Sequence, residues 1–505
     1  MSARAARADS HFLWLAGAVA LLVATGVGLR DPWPADEPRF ALIARDMVGS
    51  GDWLFPRIGG DLYHDKPPLF LWLLAVGYWL TGSVRASFLI PSLLAACGVL
   101  ALSYDLARRL AGREAALAAA LLLSCSVQFL MVMRGAQIDA TLCFMTTLSL
   151  YGLLRHLLLG PAWCWYFVGG LAAGLGVITK GVGFLPLLVL LLYGLLKAWG
   201  FQPLPRFAGG LRWTLAPLGF LAGVGLWLAP MLLAVAHSAD PELIAYRDGI
   251  LFQQTVQRYA AAWHHLQPWY YYLVEVIPPL WFPGSVLLFW LAPRWKAAWR
   301  ERDARVWLPL CWIVLTVIFF SASPGKRGIY LFPALPAFVW AAAPYLPELW
   351  ARRGLRWAGL AWAVVLICLT PVWSFIVTPR IDGERSGRVF IQGALALVPR
   401  DRELALVAAK EQFFLYLDRP VVNFGHARWM EGQAEANDAA RWLNAAPNRV
   451  LLAPQSQLFP CFAHSPRRVA GTSSGDTWSL VEPPADPICA ARGDPRHEIR
   501  YSTRP

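Results

Sequence analysis

Eleven apolar stretches, each near the length needed to cross a bilayer's hydrocarbon core, are strung along this chain. They run roughly over 11–29, 86–107, 114–133, 141–159, 163–179, 182–199, 213–236, 271–292, 305–322, 328–346 and 356–378. Hydrophobic residues make up 57% of the 505 and charged residues only 15%, with a mean hydropathy of +0.45. That combination predicts a polytopic α-helical membrane protein and excludes an ordinary soluble globule. The 26 tryptophans suit a chain with many membrane–water boundaries to anchor. A formal charge of +13 is spread in short clusters between the apolar stretches, which is how cytoplasmic loops meet anionic lipid. Membrane lipids are therefore the expected partners of that charge, and nucleic acid is not. Arg4 and Arg7 precede the first stretch and no small-residue cleavage site follows it, so it reads as an uncleaved span.

The basic clusters also set the topology. Those at 107–114, Lys197/Arg206/Arg212, 292–304 and 350–357 should all be cytoplasmic. They fall on one side with Arg4 and Arg7 only if a further apolar stretch, 67–82, does not cross. That stretch opens on Pro67 and Pro68 and is assigned as a juxtamembrane or re-entrant helix. The outward segments are then 31–68, 133–141, 179–181, 237–270 and 323–330. Beyond about residue 380 the pattern changes. Strand-like runs at 403–409, 421–424 and 449–454 alternate with a helical run at 438–446, predicting a small α/β domain. The expected division is a membrane domain over 1–379, with a first outer loop at 31–85, and an extracytoplasmic domain over 380–505. Of eight cysteines, Cys97, Cys125, Cys143, Cys164, Cys311 and Cys368 lie in or beside apolar runs and read as small hydrophobes. Cys461 and Cys489 lie in the polar C-terminal region and are a candidate disulfide.

Ionisable residues gather on the outward side. In "DPWPADEPRF" (31–40), Pro38 and the carboxylates before it predict a helix start, and Phe40, Ile43, Ala44 and Met47 continue at helical spacing to "GSG" (49–51). Asp36 is either the N-cap of that helix or a carboxylate facing a cavity, and Glu37 a partner of the helix dipole. "YHDKPP" (63–68) offers Lys66 to a phosphate and His64 and Asp65 to a cation, or is simply a solvated turn. Arg134 and Asp139 stand at the end of an apolar run, as a structural pair or facing a cavity. Lys180 could snorkel or hold an anionic ligand. The segment 245–272 carries Arg247, Arg258, His264 and His265 among aromatics that more often mark an interface belt. "SPGKRGIY" (323–330) adds Lys326, Arg327 and Tyr330. A few carboxylates among several Lys and Arg suit an anionic, phosphate-bearing lipid better than a neutral solute.

At this point a family resemblance emerges. "ADEPRFALIARDMVGSGDWLFPRIGGDLYHDKPPLFLWL" (35–73) is similar to the first outer loop of bacterial aminoarabinose transferases. These are polyprenyl-phosphate-sugar-dependent GT-C glycosyltransferases, related to the protein O-mannosyltransferases. "RGAQIDATL" and "SPGKRGIYLFPALP" resemble later family segments, and the resemblance covers roughly 11–378. It implies a bacterial inner-membrane enzyme with its site and C-terminal domain facing the periplasm. Such an enzyme moves a sugar from undecaprenyl phosphate to lipid A or another envelope acceptor. The resemblance gives Asp36 the position of the catalytic acidic residue and Asp139 that of a second carboxylate. Lys66, Arg258 and Tyr330 match its substrate-side residues, and Glu37, Arg134 and Lys326 are grouped with them as substrate-binding candidates. Asp36 is expected to face a charged cavity shared with Lys66, Asp139 and Arg258. Two departures stand out: Asp65 replaces a glutamate, and "FQQTVQRY" (252–259) lacks a histidine common in the family. They leave the sugar open, and with it whether a divalent cation at His64 and Asp65 is needed; no cofactor is required with certainty. The rivals are an O-mannosyltransferase-like enzyme acting on secreted proteins, a lipid flippase or transporter, and a chain resembling O-antigen ligases. A transporter would usually show internal repeats with its site near the midplane, whereas here the charges collect on one face.

Overall fold

The computed structural model describes residues 3–204, 209–251, 265–426 and 428–502. The chain divides into two compact units. The first comprises Met1–Val27, His64–Leu73 and Leu89–Ser374, and the second Gly28–Tyr63, Leu74–Phe88 and Phe375–Pro505.

The first unit is helical. Among the described residues, seven helices of the chain are long and apolar enough to cross a membrane, or nine if each of two bent pairs counts as one span. Those nine, with the apolar helices Ala3–Ala24 and Trp163–Val177, correspond one to one with the eleven expected stretches. The first of these two helices has 22 residues and the second, Trp163–Val177, only 15. One predicted span, 271–292, straddles a 112° turn between Tyr272–Leu280 and Gly284–Arg300, beside Pro278, Pro279 and Pro283. The stretch 114–133 also breaks, by 63°, between Arg113–Ser124 and Val127–Met133. Backbone groups freed there are taken up again: the Trp362 indole donates to the Cys125 carbonyl at 2.9 Å, and the Val127 amide donates to the Phe282 carbonyl at 3.1 Å. The apolar stretch at 67–82 becomes helix α3, Leu69–Thr81, whose 13 residues are short of a span.

The short Trp163–Val177 helix is held by close backbone packing. A Cβ on Gly170 would lie 2.0 Å from the Ala216 carbonyl oxygen, and one on Gly174 2.3 Å from that of Phe220. Only glycine allows the Gly210–His237 helix to come so near. On the Arg353–Ala396 helix, Val364, Ile367, Leu369 and Phe375 are all exposed. A continuous run of such residues needs lipid around it.

The second unit gathers the first loop and the C-terminal part. Helix α2, Glu37–Ser50, covers the predicted 38–48, and Gly51 ends it in the left-handed conformation, its amide donating to the Met47 carbonyl. Phe40, Ile43, Ala44 and Met47 are buried, and Ala41 and Ala44 line a narrow gap with Leu74, Tyr78, Val84 and Phe88. Polar contacts complete the attachment. Arg45 donates to the carbonyls of Phe414 and Leu415 and to the Tyr501 hydroxyl, which itself donates to Asp46. Asn423 reaches the Gly59 carbonyl, and the His426 amide reaches Asp61.

The C-terminal part is a mixed six-stranded sheet in the order Arg467–Ser473, Asp476–Val481, Arg449–Pro454, Glu403–Leu406, Val421–Asn423, Ile499–Tyr501. Strands β3 (Glu403–Leu406), β4 (Val421–Asn423) and β5 (Arg449–Pro454) occupy the predicted runs, and β3 lies parallel to both of the others. The predicted 438–446 helix runs from Ala434 to Asn444. The sequence reading missed the hairpin of β6 (Arg467–Ser473) and β7 (Asp476–Val481), as well as the C-terminal strand β8 (Ile499–Tyr501). Most of β6 is an exposed edge carrying arginines, so it lacks the alternation that marks a half-buried strand. Cys461 and Cys489 form the expected disulfide.

Glu435, 2% exposed, accepts from the Ala408 amide at 2.8 Å. Burial pushes its carboxyl up to about 7, against the weaker pull of that hydrogen bond and of Arg428. The folded-state value is raised, so the stabilisation is complete below the ordinary glutamate range and is lost as pH rises through about 7. The loss is on the order of 3 kcal/mol. Glu435→Gln keeps the acceptor and cannot ionise. Melting of the intact protein at pH 5 and pH 8 should show a fall for the wild type and a smaller fall for the variant; equal falls would reject this assignment.

Candidate functional site

In the first unit, one buried ion pair organises the charges. The Ile138–Leu159 helix begins beside Asp139, which is 3% exposed, and its Oδ1 accepts from Lys180 Nζ at 2.7 Å. The same ammonium lies 4.3 Å from the centroid of the Tyr330 ring. A cation shared by a carboxylate and an aromatic face is held on two sides while 19% of its side chain stays accessible. Sequence reasoning left Lys180 between snorkelling and ligand binding and gave it no place among the site residues. The signal was there: a lysine between two apolar runs is too costly to be idle.

The turn that carries Lys180 is fixed by contact between two glycines. The Lys180 amide donates to the Gly176 carbonyl, and the Gly183 amide to the Lys180 carbonyl. A Cβ on Gly183 would lie 1.9 Å from the Gly176 carbonyl carbon and 2.3 Å from the Val177 nitrogen. Gly183→Ala must therefore open the turn. It is expected to cost about 1–3 kcal/mol, as overpacking does, and to displace Lys180. A lower melting temperature together with lost activity checks this; a variant that melts and acts like the wild type would refute it.

Two other segments are tied to this cluster. The Leu69 amide donates to the Ile178 carbonyl at 3.0 Å, which ties the turn after Lys66 to the strand of backbone leading to Lys180. Lys66 itself is half-buried and donates to the Asp65 carbonyl. Gln128 donates to the Gly328 carbonyl and accepts from the Trp281 indole, bracing the turn that bears Tyr330. Lys326 is 4% exposed, and its ammonium donates to the carbonyls of Gln267 and Ser323. The structure thus uses Lys326 to bind backbone. Arg134 donates to Ser374 at 2.6 Å and more weakly to Thr25.

Arg258 lies outside the described residues, as does His264. The chain on either side of 252–264 is anchored in the first unit. Gly249 packs against the His64 ring, where a Cβ would come within 2.8 Å of Cδ2. The His265 carbonyl accepts from the Lys326 amide. Among the described residues no group of three His, Cys, Asp or Glu could hold a metal ion. His64 and Asp65 therefore have no third such ligand among the described residues.

In the second unit, Asp36 precedes α2 and is half-buried. Its backbone carbonyl accepts from Phe40, but its side chain makes no capping hydrogen bond. The N-cap role is not the one this carboxylate plays. Glu37 is committed to structure: Arg30 donates to both of its oxygens, at 2.5 and 2.7 Å, and the Trp33 amide to one of them. Arg39, one turn into the helix, donates to Glu411 at 2.8 Å. Asp382 anchors the same loop, accepting from the Asp31 amide, the Trp33 indole and Arg85.

The fold is that of the GT-C membrane glycosyltransferases, a polytopic helical body with a small C-terminal sheet domain. It matches the crystal structure of ArnT from Cupriavidus metallidurans bound to undecaprenyl phosphate with a TM-score of 0.71 at 19% identity, covering 93% of this chain and 97% of that one. The apo oligosaccharyltransferase of Archaeoglobus fulgidus matches at 0.50, over 88% of this chain and 69% of that one. In sequence the chain is similar to undecaprenyl phosphate-alpha-4-amino-4-deoxy-L-arabinose arabinosyl transferases. That of Sodalis glossinidius is 32% identical over 62% of this chain and 54% of its own length. That of Pseudomonas aeruginosa is 32% identical over 62% and 57%. The chain thus spans little more than half the length of these relatives. A profile described as dolichyl-phosphate-mannose-protein mannosyltransferase matches residues 65–206.

Proposed function

We propose that this chain is a glycosyltransferase of the bacterial inner membrane that moves 4-amino-4-deoxy-L-arabinose from undecaprenyl phosphate to lipid A on the periplasmic side. The observation that carries this reading is the Asp139–Lys180–Tyr330 cluster, set in a fold shared with a structure that binds undecaprenyl phosphate. The aminoarabinosyl transferases named above supply the sugar.

In the proposed reaction an acceptor oxygen attacks the anomeric carbon, and the bond from that carbon to the donor phosphate breaks. Undecaprenyl phosphate then leaves with the electron pair. Lys66, Lys180 and Arg258 hold the phosphate and stabilise the charge that grows on it. Asp139 keeps Lys180 aligned. Asp36 takes the proton when the acceptor is a hydroxyl, and orients the sugar amine when the acceptor is an already ionised phosphate. A single displacement inverts the anomeric centre.

Deleting the protein from its host and weighing lipid A tests this. Loss of one aminopentose increment, restored by the wild-type chain, is expected. Unchanged lipid A rejects the acceptor. If secreted glycoproteins lose hexose instead, the mannosyltransferase profile over 65–206 becomes the better guide.

A further inference from the structure

A second set of charges sits on the same helices, far from Asp139. On the Ile90–Ala111 helix, Asp105 accepts from Arg108 at 2.8 Å and from Arg109 at 2.6 Å. Tyr151, on the Ile138–Leu159 helix, donates to Asp105 at 2.5 Å and accepts from Arg155 at 3.1 Å. The Arg155 guanidinium lies 4.9 Å from the Trp165 ring centroid. Three guanidiniums thus converge on one carboxylate and one phenol, leaving a surplus of positive charge. Arg108 and Arg109 keep about a third of their side-chain surface accessible, 34% and 35%.

Position says what such a surplus meets. Asp139 and Arg155 lie on one helix, with about 24 Å of rise between them, most of the roughly 30 Å of a hydrocarbon core. The cluster therefore stands at the opposite membrane boundary from Asp139. It belongs to the positively charged side, which the positive-inside rule assigns to the cytoplasm. Trp165 beside Arg155 is the kind of ring that rests at headgroup level. Guanidinium forks fixed by a carboxylate, as Arg109 is, or by the phenol bonded to it, as Arg155 is, match a phosphate's oxygens better than mobile surface lysines do.

We propose that Arg109 and Arg155, positioned by Asp105 and Tyr151, bind the phosphodiester headgroup of an anionic phospholipid at the cytoplasmic end of the bundle. The site is separate from sugar transfer and does not rest on that reading. The test is native mass spectrometry of the full chain in detergent, titrated with phosphatidylglycerol, phosphatidylethanolamine or inorganic phosphate. Phosphatidylglycerol adducts should exceed phosphatidylethanolamine adducts by about threefold or more, the scale of one or two screened ion pairs. Arg109→Gln/Arg155→Gln should remove that excess, and Tyr151→Phe should reduce it. If the glutamine pair does not fold, Arg109→Lys/Arg155→Lys keeps the charge without the fork and should still lower the excess. Equal adducts of the two lipids, an excess that survives in the variants, or displacement of the lipid by inorganic phosphate would each overturn the proposal.

Discussion

Asp36→Asn is expected to reduce sugar transfer by about 10²–10⁴-fold, the range for removing a positioned general base, while lowering the melting temperature far less than Glu37→Gln does. The second half of that expectation comes from the structure. Asp36 makes no capping hydrogen bond to the amides of α2, so the isosteric amide forfeits no cap. The loop is held instead by its neighbours: Arg30 and the Trp33 amide on Glu37, and Asp382 on Asp31, Trp33 and Arg85. Glu37→Gln provides the contrast. Arg30 is 8% exposed, and losing the charge that faces it leaves a nearly buried guanidinium unpaired. It is expected to cost about 3–5 kcal/mol, as breaking a buried pair does, and to lower the yield of folded protein. The two carboxylates thus separate by readout, activity for Asp36 and stability for Glu37. The assay is lipid A mass spectrometry after complementation, at matched expression. Full modification by Asp36→Asn would remove this residue from the chemistry.

These two neighbours also mark how far sequence alone could go. The apolar runs and their flanking charges specified a polytopic helical membrane protein, and periodicity located α2 and the parallel core of the C-terminal sheet. The apolar stretches each found a helix, but apolar length does not reveal a break within one. The turn at Pro278, Pro279 and Pro283 converts one hydropathy run into two helices at 112°. For the charged residues, sequence gives the cost of burying each group but not its partner. Glu37 and Lys326 looked like ligand residues and are occupied by Arg30 and by backbone carbonyls. Lys180 was noticed for its depth, yet pairing it with Asp139 required the fold, since 41 residues separate them.

That pair supports the second large effect. Lys180→Met should leave Asp139, 3% exposed, without its ammonium, at a cost of about 3–5 kcal/mol and with transfer reduced by at least about 100-fold, as for an electrostatic stabiliser of a leaving group. A drop in activity alone would not distinguish a lysine that binds phosphate from one that only neutralises Asp139. Adding Asp139→Asn to Lys180→Met separates the two. The second substitution removes the stranded charge, so the double variant should recover on the order of 2 kcal/mol relative to the sum of the singles, the coupling expected of contacting groups. Under the proposed mechanism its transfer stays low, because nothing replaces the ammonium against the departing phosphate. If the double variant regains both stability and transfer, Lys180 is a structural counter-ion and the phosphate is held elsewhere. Lys180→Arg sharpens the result. A guanidinium keeps the charge against the Tyr330 ring at 4.3 Å but is wider than an ammonium. The Gly176–Gly183 turn has little room to shift, so stability should return further than activity.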